Sequence, residues 1–283
     1  MSLLLGREFP LTLAPTGMVP TRESSPHVPL TPRELARDLL ECADLGITSV
    51  HIHARDEDGR PDWRNDTYAR FVGAAKEAVP DIVVNVSTSG RNWSDLERRA
   101  DCLALAGDLK PDMASLTLSS LNFMSGASVN EPQMVRSLAQ VMLERGIVPE
   151  LEVFDLGMVN AIKVLQKESL LPENVFVNLF LGNIYGAQAT LMELAVMVGG
   201  LPDGALWSGA GLGSSQRQAM ALALAAGGGV RIGLEDNLFL DRVHGSLATN
   251  RDLVQLVHEV SGTLKRSVMS PTVFRSLLEG AVT

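Results

Sequence analysis

The chain has 283 residues, 46% of them hydrophobic, and a formal charge of −9 from 24 basic and 33 acidic side chains. That length suits a single α/β barrel, the apolar fraction can fill a large core, and no apolar run is long enough to span a bilayer. The acidic balance, with no Lys/Arg stripe, argues against a nucleic-acid partner but not against small anionic substrates, because a local site can differ from the net field.

The first residues, Met1 to Phe9, include Arg7 and Glu8 and lack the basic start, apolar middle and small-residue cleavage site of a signal peptide. A cytoplasmic protein is the expectation. Cys42 and Cys102 fall on amphipathic helical patterns and are not spaced as a metal pair, so they read as reduced, buried thiols.

Short apolar runs recur in chain order at residues 11–15, 47–53, 82–86, 113–118, 148–153, 175–181, 205–210 and 229–234. Between them, apolar residues take helical spacing over 32–45, 66–79, 94–106, 131–145, 158–167, 188–198 and 215–226. Thr31-Pro32-Arg33-Glu34 carries an N-cap, a proline at the first helical position and an acid at the third, and Gly46 follows as the helix-ending glycine. Gly227-Gly228-Gly229 ends the seventh helix in the same way. The tail after Asn250 reads as an eighth helix plus a terminal helix over 272–279. Eight strands separated by helices imply parallel pairing, and eight is the number that closes a barrel. The expected fold is a single-domain (β/α)8 TIM barrel over residues 1–283 with a C-terminal helical tail; an open doubly wound sheet is the alternative.

In such a barrel the chemistry gathers at the C-terminal ends of the strands. Strand two ends in His51-Ile52-His53, and alternation points both imidazoles into the barrel, where they can share one ion or simply be satisfied rim histidines. Strand eight ends in Arg231-Ile232-Gly233-Leu234-Glu235-Asp236-Asn237. If the chain stays extended, Arg231, Gly233 and Glu235 share one parity, and Glu235 could complete a His2Glu set with one open position. An Arg231 salt bridge with Glu235 or Asp236 is the alternative there. Strand three ends in Ser87-Thr88-Ser89-Gly90-Arg91, whose hydroxyls and free N–H groups could seat a carboxylate or phosphate, or merely cap the next helix. Glu150 and Glu152 on strand five point the same way and should seek a cation, with Arg231 the natural candidate. Ser115 and Thr117 point inward from strand four. Gly209 to Ser215 follows strand seven but lacks a phosphate-binding Gly-Lys-Ser/Thr. His27 could close over the site, whereas His244 and His258 read as surface residues.

Ala14-Pro15-Thr16-Gly17, the run from Ser25-Pro26-His27 to Pro32, the run from His51 to Arg60, Met113-Ala114-Ser115-Leu116, the run from Pro149-Glu150 to Phe154, and Arg231 to Asn237 occur in this order. Together they resemble the β-keto acid cleavage enzyme family over nearly the whole chain. The resemblance implies a zinc-dependent barrel that condenses a β-keto acid with acetyl-CoA and cleaves the adduct to acetoacetate and a new acyl-CoA, as a homotetramer. It implies His51, His53 and Glu235 as metal ligands, and Ser87, with Thr88 and Gly90, as the seat of the substrate carboxylate. Ser115 would lie near the reacting carbons. Asp236 and Arg231 would form the base machinery, with Glu152 orienting Arg231 and Glu150 the other candidate. The chain departs from the family pattern at Met18, at Ser214 where arginine is common, and at Gly229 where histidine is common. Those departures bear on substrate choice and on how CoA is held.

Two rivals stand beside this reading. A metal-dependent hydrolase of the amidohydrolase type also places His-x-His at a barrel strand end, but on its first strand and with further histidines. A catalytically silent binding barrel would gain nothing from Arg231, Glu235 and Asp236 crowded at one strand end. Met18, Asn183, Tyr185 and Phe123 are candidates for shaping the pocket.

Overall fold

The computed structural model describes residues 7–279, so the reading of Met1 to Gly6 lies outside the described residues. Eight parallel strands close into a barrel: β1 (Leu11–Leu13), β2 (Ser49–Ile52), β3 (Val83–Val86), β4 (Met113–Thr117), β5 (Val148–Val153), β6 (Phe176–Leu181), β7 (Leu206–Gly211) and β8 (Gly229–Ile232). Each pairs with its neighbour in sequence, and β8 closes on β1 with Arg231 opposite Thr12. A helix follows every strand: α1 (Pro32–Ala43), α2 (Asn65–Ala78), α3 (Leu96–Ala100), α4 (Pro132–Arg145), α5 (Leu156–Lys167), α6 (Leu191–Gly200), α7 (Gln216–Ala225) and α8 (Asn250–Thr263), with α9 (Pro271–Glu279) at the end. Among the described residues no helix is long and apolar enough to cross a membrane.

Local chemistry sets the boundaries. Helix α1 opens on a full capping box: Thr31 Oγ1 accepts from Glu34 N, and the Glu34 carboxylate accepts from Thr31 N. Helix α3 is shorter than the expected 94–106. The chain breaks into 3-10 turns at Asp101–Ala104 and Gly107–Leu109, because Asn65 binds both the carboxylate and the carbonyl of Asp101. Strand β8 stops at Ile232 rather than 234: Gly233 turns to φ +152, and a Cβ there would lie 2.0 Å from Ala14 O. Two short hairpins lie in connections whose strands the apolar runs did not reveal. One pairs Leu121–Phe123 with Gly126–Ser128 after β4, the other Phe239–Asp241 with Ser246–Leu247 after β8.

Two apolar regions carry the fold. The larger lies between strands and helices. The smaller plugs the barrel floor, where Val83, Met113, Val148 and Phe176 meet Phe274 and Leu278 of α9. Above that floor the barrel interior is polar rather than filled by branched apolar layers. Ser49, Asn85, Ser115, Glu150, Asn178 and Ser208 are all buried there, with Arg231 above them. The departure at Gly229 lies at the start of β8, level with Ser208, where a Cβ would meet Pro10 and Ser208; it is away from the strand-end site.

Asn250, at the start of α8, ties the strand exits together. Its Oδ1 accepts from Leu234 N at 2.9 Å, and its Nδ2 donates to Pro15 O at 3.1 Å and to Asp38 of α1 at 2.6 Å. Burial pushes the Asp38 carboxyl from 3.8 up to about 6. The folded chain therefore favours protonated Asp38, a contribution that is complete below about pH 4 and lost as pH rises through about 6. Asp38→Asn keeps an acceptor for Asn250 and carries no charge. It should match the unsubstituted protein near pH 4 and be more stable by up to about 3 kcal/mol at pH 8. Thermal melts across that range check this, and a variant less stable at pH 8 contradicts it.

Candidate metal and acid–base site

The imidazoles of His51 and His53 lie on the inward side of the β2 exit, buried, with their Nε2 atoms 3.2 Å apart. His53 Nε2 is also 3.2 Å from Glu235 Oε1. His51 Nδ1 lies 2.9 Å from Glu150 Oε2, and Asn178 holds the other Glu150 oxygen at 2.5 Å. A carboxylate on Nδ1 fixes the tautomer and leaves the Nε2 lone pair free for a metal. Burial pushes His53 down to about 4, which keeps its imidazole neutral. Burial and Arg231 also depress His51, but the carboxylates of Glu235 and Glu150 outweigh them and its value is raised.

Glu235 does not arrive by strand parity. The turn at Gly233 brings both Glu235 and Asp236 back onto Arg231, held by Glu235 N to Ala14 O and Gly213 N to Asp236 O. Arg231 is 1% exposed. Its Nη2 donates to Glu235 Oε1 at 2.6 Å and its Nε to Asp236 Oδ2 at 3.1 Å. Glu150 and Glu152 stand farther off, at 3.9 and 4.0 Å from Nη1. Glu152 is instead bonded by Thr117 Oγ1 at 2.6 Å. Burial pushes Asp236 up to about 6 although Arg231 opposes it, while Glu235 is held well below the usual range against burial, first by Arg231 and then by His53.

The donors fit one divalent ion. A tetrahedral shell with bonds of about 2.0–2.1 Å has edges of about 3.3–3.4 Å, close to the observed 3.2 Å separations. Glu235 Oε2 is buried with no hydrogen-bond partner. Four buried or half-buried carboxylates face one guanidinium, and a doubly charged cation would offset that excess.

Beside this cluster a cavity of about 250 Å³ opens upward. Its polar wall includes His53, Ser87, Thr117, Glu152 and Asp236, and its apolar wall includes Met18, Phe123, Phe154 and Phe180. The structure does not bring every expected residue here. Ser115 Oγ accepts from Thr88 N at 3.2 Å and Thr88 Oγ1 donates to Ser115 O at 2.6 Å, so this pair braces the β3 and β4 exits against each other. Thr88 faces a smaller neighbouring recess. Gly90 is packed against Val129 O and Arg99, where a Cβ would not fit. His27 and Tyr185 are exposed and off the cavity wall, and Asn183 props the first hairpin through Asn122 O. Two features went unread in the sequence: the Glu150–His51 contact, which joins non-adjacent strands, and Arg91, whose guanidinium carbon lies 3.9 Å above the centre of the Phe123 ring.

This is a (β/α)8 barrel with a metal-ready donor set and a buried acid–base cluster at its strand exits. The chain belongs to the beta-keto acid cleavage enzyme family, whose model matches residues 9–279. It is 33% identical to the 3-keto-5-aminohexanoate cleavage enzyme of Fusobacterium nucleatum, over 95% of this chain and 96% of that one. It is also 33% identical to the 3-oxoadipate:acetyl-CoA acetyltransferase of Cupriavidus necator, over 95% and 93%. The ternary complex of ObcA with a C4-CoA adduct and oxalate shares the fold at a TM-score of 0.79 and 21% identity, covering 90% of this chain and 68% of that one.

Gly17 tests the packing around the donors. It has φ +66, and a Cβ there would lie 2.5 Å from Glu235 Cγ. Gly17→Ala adds about 1–2 kcal/mol of backbone strain and displaces Glu235. The expected result is a lower melting temperature together with roughly tenfold or greater loss of divalent-ion affinity in a chelator competition. Unchanged values for both would contradict this packing.

Proposed function

We propose that the protein exchanges acyl groups between a β-keto acid and acetyl-CoA, with zinc held by His51, His53 and Glu235. Family membership supports the reaction type, and the names of the relatives share a keto acid while differing in which one. The observation that carries the reading is the donor triangle directly beside a buried guanidinium–carboxylate cluster. A zinc ion with three protein ligands and an open position would polarise the substrate keto oxygen as a Lewis acid.

The chain's own groups account for the rest. Asp236, raised by burial to about 6, takes the proton from the carbon between the keto and acid groups, with Arg231 holding it in place. That carbon attacks the acetyl thioester, forming a carbon–carbon bond and releasing the CoA thiolate. The thiolate then attacks the original keto carbon. The old carbon–carbon bond breaks, the acyl group leaves as acyl-CoA, and acetoacetate recovers the proton. Arg231, and Thr117 through Glu152, keep the carboxylates aimed while charge shifts. Ser87, which lines the cavity beside His53, seats the acid carboxylate. Thr88 and Ser115 hold that exit in shape, and Gly90 makes room for its packing. A cytoplasmic homotetramer completes the proposal.

Purified protein should carry about one zinc per chain and form acetoacetate from a β-keto acid only when acetyl-CoA is present. Product without acetyl-CoA would establish the hydrolase rival instead. Glu235→Gln should lose the ion, whereas Asp236→Asn should keep it and lose roughly 10²–10⁴-fold in kcat. Elemental analysis and steady-state kinetics read both; the opposite pattern reverses the two roles.

A further inference from the structure

Arg91 has no place in the chemistry above, yet it lines the same cavity. Its backbone N–H is bound by Ser89 Oγ, but its guanidinium has no hydrogen bond and no carboxylate within 4.0 Å among the described residues. Burial pushes its pKa down, and the carboxylates of Glu235, Glu152 and Asp236 oppose this only in part. A half-buried guanidinium with no hydrogen-bonding partner keeps its N–H groups free for a ligand in the cavity. Two separate elements build its position. The loop after β3 delivers the arginine, and the hairpin after β4 delivers Phe123, whose ring centre lies 3.9 Å from the guanidinium carbon. Contact with the ring face holds the guanidinium in place and leaves its N–H groups able to make a two-pronged hydrogen bond to a planar anion.

The placement indicates which anion this is. Strands β2 and β3 run in register with His51 opposite Asn85, which sets His53 and Ser87 side by side at the exits. The acid group next to the reacting keto carbon belongs there. Arg91 lies four residues beyond Ser87, pinned on the hairpin, with apolar Phe123, Phe154 and Leu121 lining the cavity as well. We infer that Arg91 binds a second carboxylate, at the far end of the substrate, so that this enzyme acts on β-keto dicarboxylic acids. The inference rests on the acyl-exchange reading of the same cavity. The balance is unchanged: the keto diacid and acetyl-CoA give acetoacetate and the CoA thioester of a shorter diacid.

The test is a panel of acids with the full-length metal-loaded enzyme and acetyl-CoA: 3-oxoglutarate, 3-oxoadipate and 3-oxopimelate against uncharged 3-oxohexanoate and cationic 5-amino-3-oxohexanoate. One of the dicarboxylates should have the highest kcat/KM. Arg91→Met, which keeps an unbranched stem on Phe123, should lower the ratio of that value to the 3-oxohexanoate value by about 10- to 100-fold, mainly through KM. A wild-type preference for the uncharged or cationic acid overturns the assignment, and needs no variant. So does an equal loss on every acid, which would put Arg91 on the common carboxylate. A raised KM for acetyl-CoA with the acid preference intact would put it on the coenzyme phosphates and overturn it as well. Turnover of none of the acids with acetyl-CoA overturns the acyl-exchange reading itself.

Discussion

A guanidinium sealed inside a barrel constrains everything near it. Arg231 is 1% exposed, and removing such a charge from water costs several kcal/mol unless it is paired. Its partners come from two places in the chain: Glu150 and Glu152 along β5, and Glu235 and Asp236 from the turn after β8. The near pair can reach it only because Gly233 leaves the strand at a positive φ and packs on the Ala14 carbonyl. The β1 exit therefore shapes the β8 exit, and Asn250 locks both from below through Leu234 and Pro15.

The energetic division of the molecule follows. Stability resides outside the barrel, where strands meet helices, and at the floor, where α9 seals the interior. The interior above the floor holds asparagines, serines and carboxylates in place of the apolar layers that would stabilise it most. Part of the column is satisfied internally, as in the chain from Asn178 through Glu150 to His51, whereas Asn85 Oδ1, Asn178 Oδ1 and Ser208 Oγ are buried without a partner. Strand-level rigidity is thus spent on aiming two imidazoles to within the spacing one ion requires.

Much of this was legible in the sequence. The eight strands and their helices follow from apolar runs and capping residues, and the His51/His53 pair from simple alternation. Glu235 shares the parity of Arg231 only if the chain stays extended, and it does not: the turn at Gly233 carries Glu235 and Asp236 back to Arg231 together. Ser115 and Gly90 read as site residues because they sit at strand exits. Which exit residue faces the cavity is decided by contacts such as Thr88 to Ser115, which no local pattern encodes. The same holds for Glu150 against His51, partners 99 residues apart, and for Arg91 on Phe123, which needs a hairpin that the apolar runs did not betray.

Glu235 joins the two halves of the site. Its Oε1 serves both Arg231 at 2.6 Å and His53 at 3.2 Å, and its Oε2 is buried without a partner. Any charge gathered at the donor triangle is therefore felt by Arg231 through a shared carboxylate, and Arg231 in turn holds Asp236 through Nε. Strengthening one pull on Glu235 weakens the other, since both compete for the same oxygen. The donor triangle and the Arg231–Asp236 pair are in this sense one electrostatic unit, and a substitution at Glu235 alters both at once.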